Sequence, residues 1–231
     1  EKERLSTIMK LSDIKNGNLS AEWAEKGYEL PKFDVEAVKA KTHAEPTWVH
    51  FGAGNIFRAF PAAILNDALN SGKYDRGVIV AESFDYEIID KAYQPYDNLS
   101  LLVCLKSTGD IEKKVIASVT ESLKADYSFG ADWARLVEIF QAPSLQMISF
   151  TITEKGYALY RPDGSLMPVV QADIDEGPAH ARHAMSMVAA LLFERFQAGA
   201  APLAVVSMDN CSHNGEKLQS SVMTVAKAWL E

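Results

Sequence analysis

Short apolar runs alternate with amphipathic stretches along most of this chain. Runs typical of strands buried on both faces occur at residues 48–51, 78–81, 99–105, 114–119, 145–151 and 203–207. Helical spacing lies between most of them, so the pattern predicts βαβ units and an α/β fold with a largely parallel sheet. The runs 99–105 and 114–119 are separated by Thr108-Gly109-Asp110, which predicts a β-hairpin insertion instead of a crossover.

Four helices are predicted from apolar positions spaced three and four residues apart. They cover residues 64–69 before Gly72, 133–140 before Pro143, 185–196 before Gly199, and 218–229. We expect their repeating apolar positions, from Ile64 to Phe196 and Trp229, to lie in the core. Residues 154–180 are rich in Gly and Pro and are predicted to form a long loop.

Domain organisation is predicted from a change near residue 46, where a mixed polar sequence gives way to alternating strand and helix patterns. Residues 1–45 are predicted to be an N-terminal arm with a short helix near residues 20–26, and residues 46–231 one domain. Met9 is a plausible natural start, which would make residues 1–8 either a leader or an addition to the natural chain. The first residues lack the apolar stretch of a secretory signal.

Composition fits a globular protein with a sizeable core: 231 residues, 48% hydrophobic and 23% charged. The net charge of -8 and the lack of a basic cluster argue against a nucleic-acid partner. No apolar run approaches the ~20 residues that span a bilayer, so no membrane partner is expected. Cys104 and Cys211 are too far apart for a disulfide framework or a zinc pattern, which indicates a cytoplasmic protein without a metal site.

The segment Gly52-Ala53-Gly54 carries the clearest chemical signal. It follows the apolar residues 47–51 and precedes a helical stretch. In dinucleotide sites the first Gly allows a tight turn, the second lets backbone approach a pyrophosphate, and the helix start offers N–H groups to the anion. Phe57 occupies the place of the third Gly, so a Gly-rich turn without a ligand remains an alternative.

An acid at the end of the second parallel strand bears on the choice of cofactor. Glu82 follows residues 78–81 directly, where a carboxylate accepts hydrogen bonds from ribose hydroxyls and repels a 2′-phosphate. This favours NAD over NADP. Asp85 either shares that role or caps the following helix, and Glu82 is alternatively a solvated strand end.

Two further strand ends are polar. Asn210, within residues 209–215, can donate a hydrogen bond to a carbonyl or alkoxide oxygen, or that block simply forms a turn and an N-cap. Thr, Glu and Lys in residues 151–155 either meet a nicotinamide or substrate, or form an ordinary surface transition with a Glu–Lys pair.

Three ordered blocks resemble the polyol-specific long-chain dehydrogenase/reductase (mannitol dehydrogenase) family, and most of all its fructuronate/mannonate and tagaturonate/altronate reductases. They are residues 50–60 (HFGAGNIFRAF), 151–157 (TITEKGY) and 207–215 (SMDNCSHNG). The resemblance implies a Rossmann-type, doubly wound domain with an insertion, NAD(P) binding, and hydride transfer between NAD(H) and a ketose-type carbonyl or secondary alcohol. The substrate would be a sugar acid or polyol such as fructuronate, tagaturonate or fructose.

The resemblance also implies roles for individual residues. Asn210 is similar to an Asn that stabilises the reacting oxygen and is the candidate catalytic residue. The resemblance and the positions of polar residues at strand ends together give the candidate cofactor-binding residues. These are Gly52, Ala53, Gly54, Asn55, Ile56, Phe57, Arg58, Glu82, Asp85, Thr151, Thr153, Glu154 and Lys155.

The family's catalytic Lys lies in a Lys-x-x-x-x-Asn-x-x-His motif within a C-terminal helical domain. Lys217 and Lys227 do not match that motif. We therefore expect the C-terminal helical domain to be absent from this chain and to be its partner in the parent enzyme. We expect the chain alone to be inactive. A Rossmann-like methyltransferase and a non-catalytic nucleotide-binding module are the alternatives.

Overall fold

A computed structural model describes residues 10, 11, 14 and 21–230 of the chain. The predicted start at Met9 lies outside the described residues. The strands are β1 (Tyr28–Glu29), β2 (Trp48–Phe51), β3 (Val78–Glu82), β4 (Ser100–Leu105), β5 (Ile111–Ile116), β6 (Val119–Lys124), β7 (Met147–Phe150) and β8 (Ala204–Ser207). The helices are α1 (Ala21–Glu25), α2 (Val35–Ala44), α3 (Asn55–Ala59), α4 (Pro61–Asn70), α5 (Gly130–Gln141), α6 (Thr153–Tyr157), α7 (Pro168–Glu176), α8 (Ala184–Gln197) and α9 (Asn214–Ala228).

The larger sheet has five parallel strands in the order β6-β3-β2-β7-β8. Numbered within that sheet, the order is 3-2-1-4-5, as in a Rossmann-type sheet, and it reverses between β2 and β7. Alternate residues of β3 serve opposite faces: Ile79 and Ala81 pack with α5, α8 and α9, whereas Val78 and Val80 pack with α3 and α4. The prediction of a doubly wound sheet is confirmed.

The smaller sheet confirms the predicted hairpin insertion. β4 and β5 pair antiparallel from Leu105↔Ile111 to Ser100↔Ile116, and β1 pairs parallel with β5. The single strand predicted at residues 114–119 is wrong, because the apolar run contains the end of β5 and the start of β6. The linker between them is buried, where Ser118 Oγ donates to Ala62 O (2.6 Å), so the hydrophobic pattern continues while the chain changes sheets.

The long loop predicted at residues 154–180 is also wrong. The segment contains most of α6, all of α7, and a short 3₁₀ turn at Pro178–His180. The Pro and Gly residues that suggested a loop mark the boundaries of α7. Pro168 is its first residue, and Gly177, at φ +81°, follows its end.

The short helix predicted near residues 20–26 is present as α1, and most predicted helix faces are buried, including Met185, Val188 and Ala189 of α8. Two positions are not: Ile64 is 56% exposed and Phe196 is 68% exposed. The apolar run expected to be buried at β8 also differs, because β8 lies at the edge of the sheet and exposes Ala204 and Val205. No helix within the described residues is long and apolar enough to cross a membrane.

Candidate functional site

The candidate site lies at the carboxyl ends of β2 and β7, which are neighbours in the sheet. The chain leaves β2 toward α3 and α4 on one face, and the helices that follow β7 pack on the other face. Loops that diverge in this way leave a crevice at the point where the strand order reverses, and ligands of open α/β sheets bind there.

The two glycines of the turn after β2 have different physical roles. Gly52 is buried at φ +111°, and a Cβ there would lie 2.3 Å from Thr151 O, so only glycine fits against the end of β7. Gly54 has an ordinary φ of -73°, and a Cβ there would meet nothing within 4 Å. The fold therefore requires Gly52, whereas Gly54 faces open space at the start of α3.

Glu82 holds the end of β3 against this turn. It is 8% exposed, and its Oε2 accepts a hydrogen bond from Ala53 N at 2.8 Å. Its Oε1 accepts from the backbone N–H groups of the next three residues, including Phe84 (2.9 Å) and Asp85 (3.3 Å). Asp85 itself is exposed, and its carboxylate accepts no hydrogen bond from the described residues. Phe84 beside it is 91% exposed.

Residues 55–58 divide between the surface and the core. Phe57, in the place of the third Gly, is fully buried, so its ring packs inside the fold. Ile56 is 70% exposed. The Arg58 guanidinium donates to Asn55 Oδ1 (2.5 Å) and lies 5.6 Å from the centre of the Tyr93 ring, and no described carboxylate forms a salt bridge with it.

Tyr93, which sequence reasoning missed, holds the glycine turn after β2 through a hydrogen bond. It is 1% exposed, and its hydroxyl donates to Ala53 O at 2.8 Å. Burial raises the pKa of Tyr93, so the hydroxyl keeps its proton and remains a donor. Both backbone polar groups of Ala53 are therefore occupied, its N–H by Glu82 and its carbonyl by Tyr93.

Asp209 joins the loops after β7 and β8. Its carboxylate accepts hydrogen bonds from Ile152 N (3.0 Å), Thr153 N (3.0 Å) and the Tyr157 hydroxyl (2.5 Å). Burial and then the Asp209 carboxylate raise the pKa of Tyr157. Thr153 has a positive φ of +63°, a conformation that these bonds hold in place. The only sequence signal for this role was an acid just after a strand.

The remaining candidates lie near Asp209 but differ in their contacts. Asn210 is exposed, and its side chain forms no hydrogen bond with the described residues. Glu154 forms an ion pair with Lys217 of α9, and Lys155 is exposed. A cavity of about 450 Å³ lies between α6 and α9 beside this pair. Thr151 is half-buried next to Gly52, so the structure brings Thr151, Gly52 and Ala53 together and leaves Glu154 outside that group.

His50 is a second residue that sequence reasoning missed. It is fully buried on β2, directly opposite Ser149 of β7. Its Nδ1 lies 2.7 Å from Ser149 Oγ, and its Nε2 lies 2.8 Å from Thr151 Oγ1. The ring stacks on Phe57 with 4.2 Å between ring centres. Burial lowers the pKa of His50 to about 3, so the imidazole is neutral at physiological pH.

The strand order, the crevice and the glycine turn at its edge define a Rossmann-type α/β domain. The chain belongs to the mannitol dehydrogenase family, because residues 46–231 match the family model described as the mannitol dehydrogenase Rossmann domain.

Individual relatives agree with this assignment. The chain is 52% identical over 211 residues to D-mannonate oxidoreductase of Thermotoga maritima, a match that covers 91% of this chain and 39% of that protein. It is 29% identical to mannitol 2-dehydrogenase of Cereibacter sphaeroides, covering 86% of this chain and 40% of that protein. The chain therefore spans about two-fifths of the length of these relatives.

A solved structure shows the same fold. Mannitol 2-dehydrogenase of Pseudomonas fluorescens, determined as a ternary complex with NAD and D-mannitol, superposes with a TM-score of 0.75 at 24% identity. The match covers 91% of this chain and 42% of that one.

Proposed function

We propose that this chain is the NAD-binding part of an oxidoreductase that transfers a hydride between NAD(H) and the carbonyl or secondary alcohol of a sugar acid or polyol. Membership of the mannitol dehydrogenase family and the high identity to a protein named D-mannonate oxidoreductase support this class of substrate. Family membership weighs against the methyltransferase alternative. In the whole enzyme the nicotinamide carries the hydride, and the protein supplies position and charge.

The observation that carries the proposal is the open space at Gly54. The fold does not use this space, since a Cβ there touches nothing, yet it lies at the turn where backbone meets a dinucleotide in related folds. The charges nearby fit the same ligand: Arg58 has no salt bridge to a described carboxylate and suits a pyrophosphate. The Asp85 carboxylate, which accepts no hydrogen bond from the described residues, suits ribose hydroxyls.

The cofactor preference rests on Asp85 more than on Glu82. The oxygens of Glu82 already accept four backbone N–H groups, so few of their lone pairs are left for a ribose. We assign Glu82 to holding the turn and Asp85 to the ribose and to the repulsion of a 2′-phosphate. NAD is therefore preferred to NADP.

Asn210 is the chain's contribution to catalysis. Its amide is exposed and unengaged at the end of β8, so it is free to donate to an alkoxide that forms on the substrate. Proton transfer then needs a group from the rest of the enzyme, in a helical domain that would pack beside this one. On this proposal the 231-residue chain binds NADH but does not turn over substrate.

The test is NADH titration by calorimetry or fluorescence with Gly54→Val. Because no heavy atom beyond Gly54 and its two chain neighbours lies within 4 Å of the new Cβ, the variant should fold normally and lose NADH affinity by more than tenfold. Gly130→Val is the matched control: Gly130 begins α5, has an equally open Cβ position, and follows β6, two strands away from β2. Equal NADH affinity in folded Gly54→Val and wild-type protein would place the site elsewhere.

A further inference from the structure

His50 lies in a chain of hydrogen bonds whose direction is fixed at one end. The indole of Trp48 has only a donor, and its Nε1 lies 2.7 Å from Ser149 Oγ, so Ser149 accepts this bond. Ser149 is fully buried, and its hydroxyl proton still needs an acceptor. Among the described residues, the atom placed to accept it is His50 Nδ1, at 2.7 Å.

This arrangement selects one tautomer of the imidazole. If Nδ1 carried the proton, Ser149 Oγ would accept from both Trp48 and His50, and its own buried proton would have no acceptor. An unsatisfied buried donor costs its full desolvation penalty. The neutral ring therefore accepts at Nδ1 and carries its proton on Nε2, and the low pKa of His50 agrees with a neutral ring.

The tautomer in turn fixes the direction of the next bond. His50 Nε2–H donates to Thr151 Oγ1 at 2.8 Å, so the proton of the Thr151 hydroxyl cannot point toward His50. No described residue accepts that proton. Thr151 is half-buried beside Gly52, at the point where the strand order reverses. The chain of bonds therefore ends in a donor at the crevice.

We infer that His50 is a positioning residue that commits the Thr151 hydroxyl to donate a hydrogen bond to an oxygen atom of the bound dinucleotide. This inference rests on the proposed function, because it needs a dinucleotide in the crevice. Phe57 stacks on the imidazole of His50 and thereby fixes the plane of that ring. The large residue in the place of the third Gly is thus explained by His50.

The tautomer is tested without any ligand. Long-range ¹H–¹⁵N NMR of the labelled chain separates Nδ1–H, Nε2–H and doubly protonated rings, and His50→Phe identifies the His50 signals among the five histidines. We expect a neutral Nε2–H ring throughout the neutral pH range. A ring protonated on Nδ1, or an even mixture of tautomers, would overturn the inference.

The donor is tested by NADH titration. Thr151→Val keeps the shape of the side chain but removes the hydroxyl, and should weaken NADH binding by about threefold to tenfold. Thr151→Ser keeps the donor and should bind like the wild type. If folded Thr151→Val binds NADH as tightly as the wild type, the donor role is wrong while the nucleotide site stands. A wild-type chain that binds no NADH would overturn both.

Ser149→Ala tests whether the effect passes through His50. It removes the group that selects the tautomer, so NMR should show a mixture and NADH binding should weaken. In a Thr151→Val background the same change should cause no further loss of NADH affinity. An equal loss in both backgrounds would show that Ser149 acts through packing alone, and would contradict the positioning role of His50.

Discussion

The carboxyl ends of β3 and β8 each carry a carboxylate, and an exposed polar residue follows each of them. Glu82 at β3 and Asp209 after β8 both accept hydrogen bonds from backbone N–H groups of neighbouring loops. Asp85 and Asn210 are exposed, and their side chains form no hydrogen bond within the described part of the chain. At both ends the first acid holds the loops, whereas the side chain of Asp85 or Asn210 takes no part in holding them.

This comparison separates stability from function. A change at Glu82 or Asp209 should alter the free energy of unfolding and affect ligands only indirectly. A change at Asp85 or Asn210 should leave unfolding almost unchanged and affect a ligand directly. Four substitutions test these expectations.

The largest effect is expected at Asn210, in the complete enzyme. Removing one donor to a developing alkoxide typically lowers kcat by about 10²–10³. Asn210→Ala should show a loss of this size in steady-state kinetics, with NADH affinity and thermal stability close to wild type. A loss of stability instead of kcat would make Asn210 a second structural residue at this strand end.

Asp209→Ala should cause the largest loss of stability. It removes three hydrogen bonds to a carboxylate and releases the strained backbone of Thr153, so we expect about 3 kcal/mol lower free energy of unfolding in urea. The control is Asp163→Ala, which also removes bonds to a carboxylate, but in an exposed turn. If the two variants lose equal stability, Asp209 does not join the loops as described.

Glu82→Gln should have an intermediate effect. A Gln side chain has one acceptor oxygen where Glu82 has two, so some backbone N–H groups of the turn lose their acceptor. We expect the free energy of unfolding to fall by about 2 kcal/mol. NADH and NADPH affinities should fall together, because the turn itself is loosened. A change in the ratio of the two affinities would mean that Glu82 contacts the ribose.

Asp85→Ser should have the smallest effect, and only on cofactor choice. Loss of one exposed charge near a 2′-phosphate corresponds to about 1 kcal/mol, which narrows the preference for NADH over NADPH roughly fivefold. Stability should change by less than about 0.5 kcal/mol. Glu87→Ser removes an equal charge two residues away, where Glu87 pairs with Lys91, and should leave the preference unaltered.

The sequence was sufficient for the doubly wound, largely parallel sheet and for the position of the turn, because buried parallel strands and Gly-x-Gly are local signals. It was insufficient at residues 114–119, where one apolar run serves two sheets. It also could not separate Glu82 from Asp85. That distinction depends on which N–H groups fold back onto the carboxylate, and a linear pattern does not contain this information.

His50 shows the same limit from another side. Its partners, Ser149 and Thr151, are 99 and 101 residues away and become neighbours only through the register of β2 and β7. The visible signal was a polar residue inside an apolar strand, and that signal does not indicate what the residue contacts.

The buried imidazole also makes the fold sensitive to acid. An unfolded chain takes up a proton at His50 near pH 6.5, whereas the folded chain resists it until the pKa of about 3. Between these values the unfolded state binds more protons, so stability falls as the pH drops, by up to about 1.4 kcal/mol per pH unit. His50→Phe cannot take up this proton, and its urea unfolding should depend less steeply on pH between 6 and 4. Acid therefore favours the unfolded state through one imidazole buried between β2 and β7.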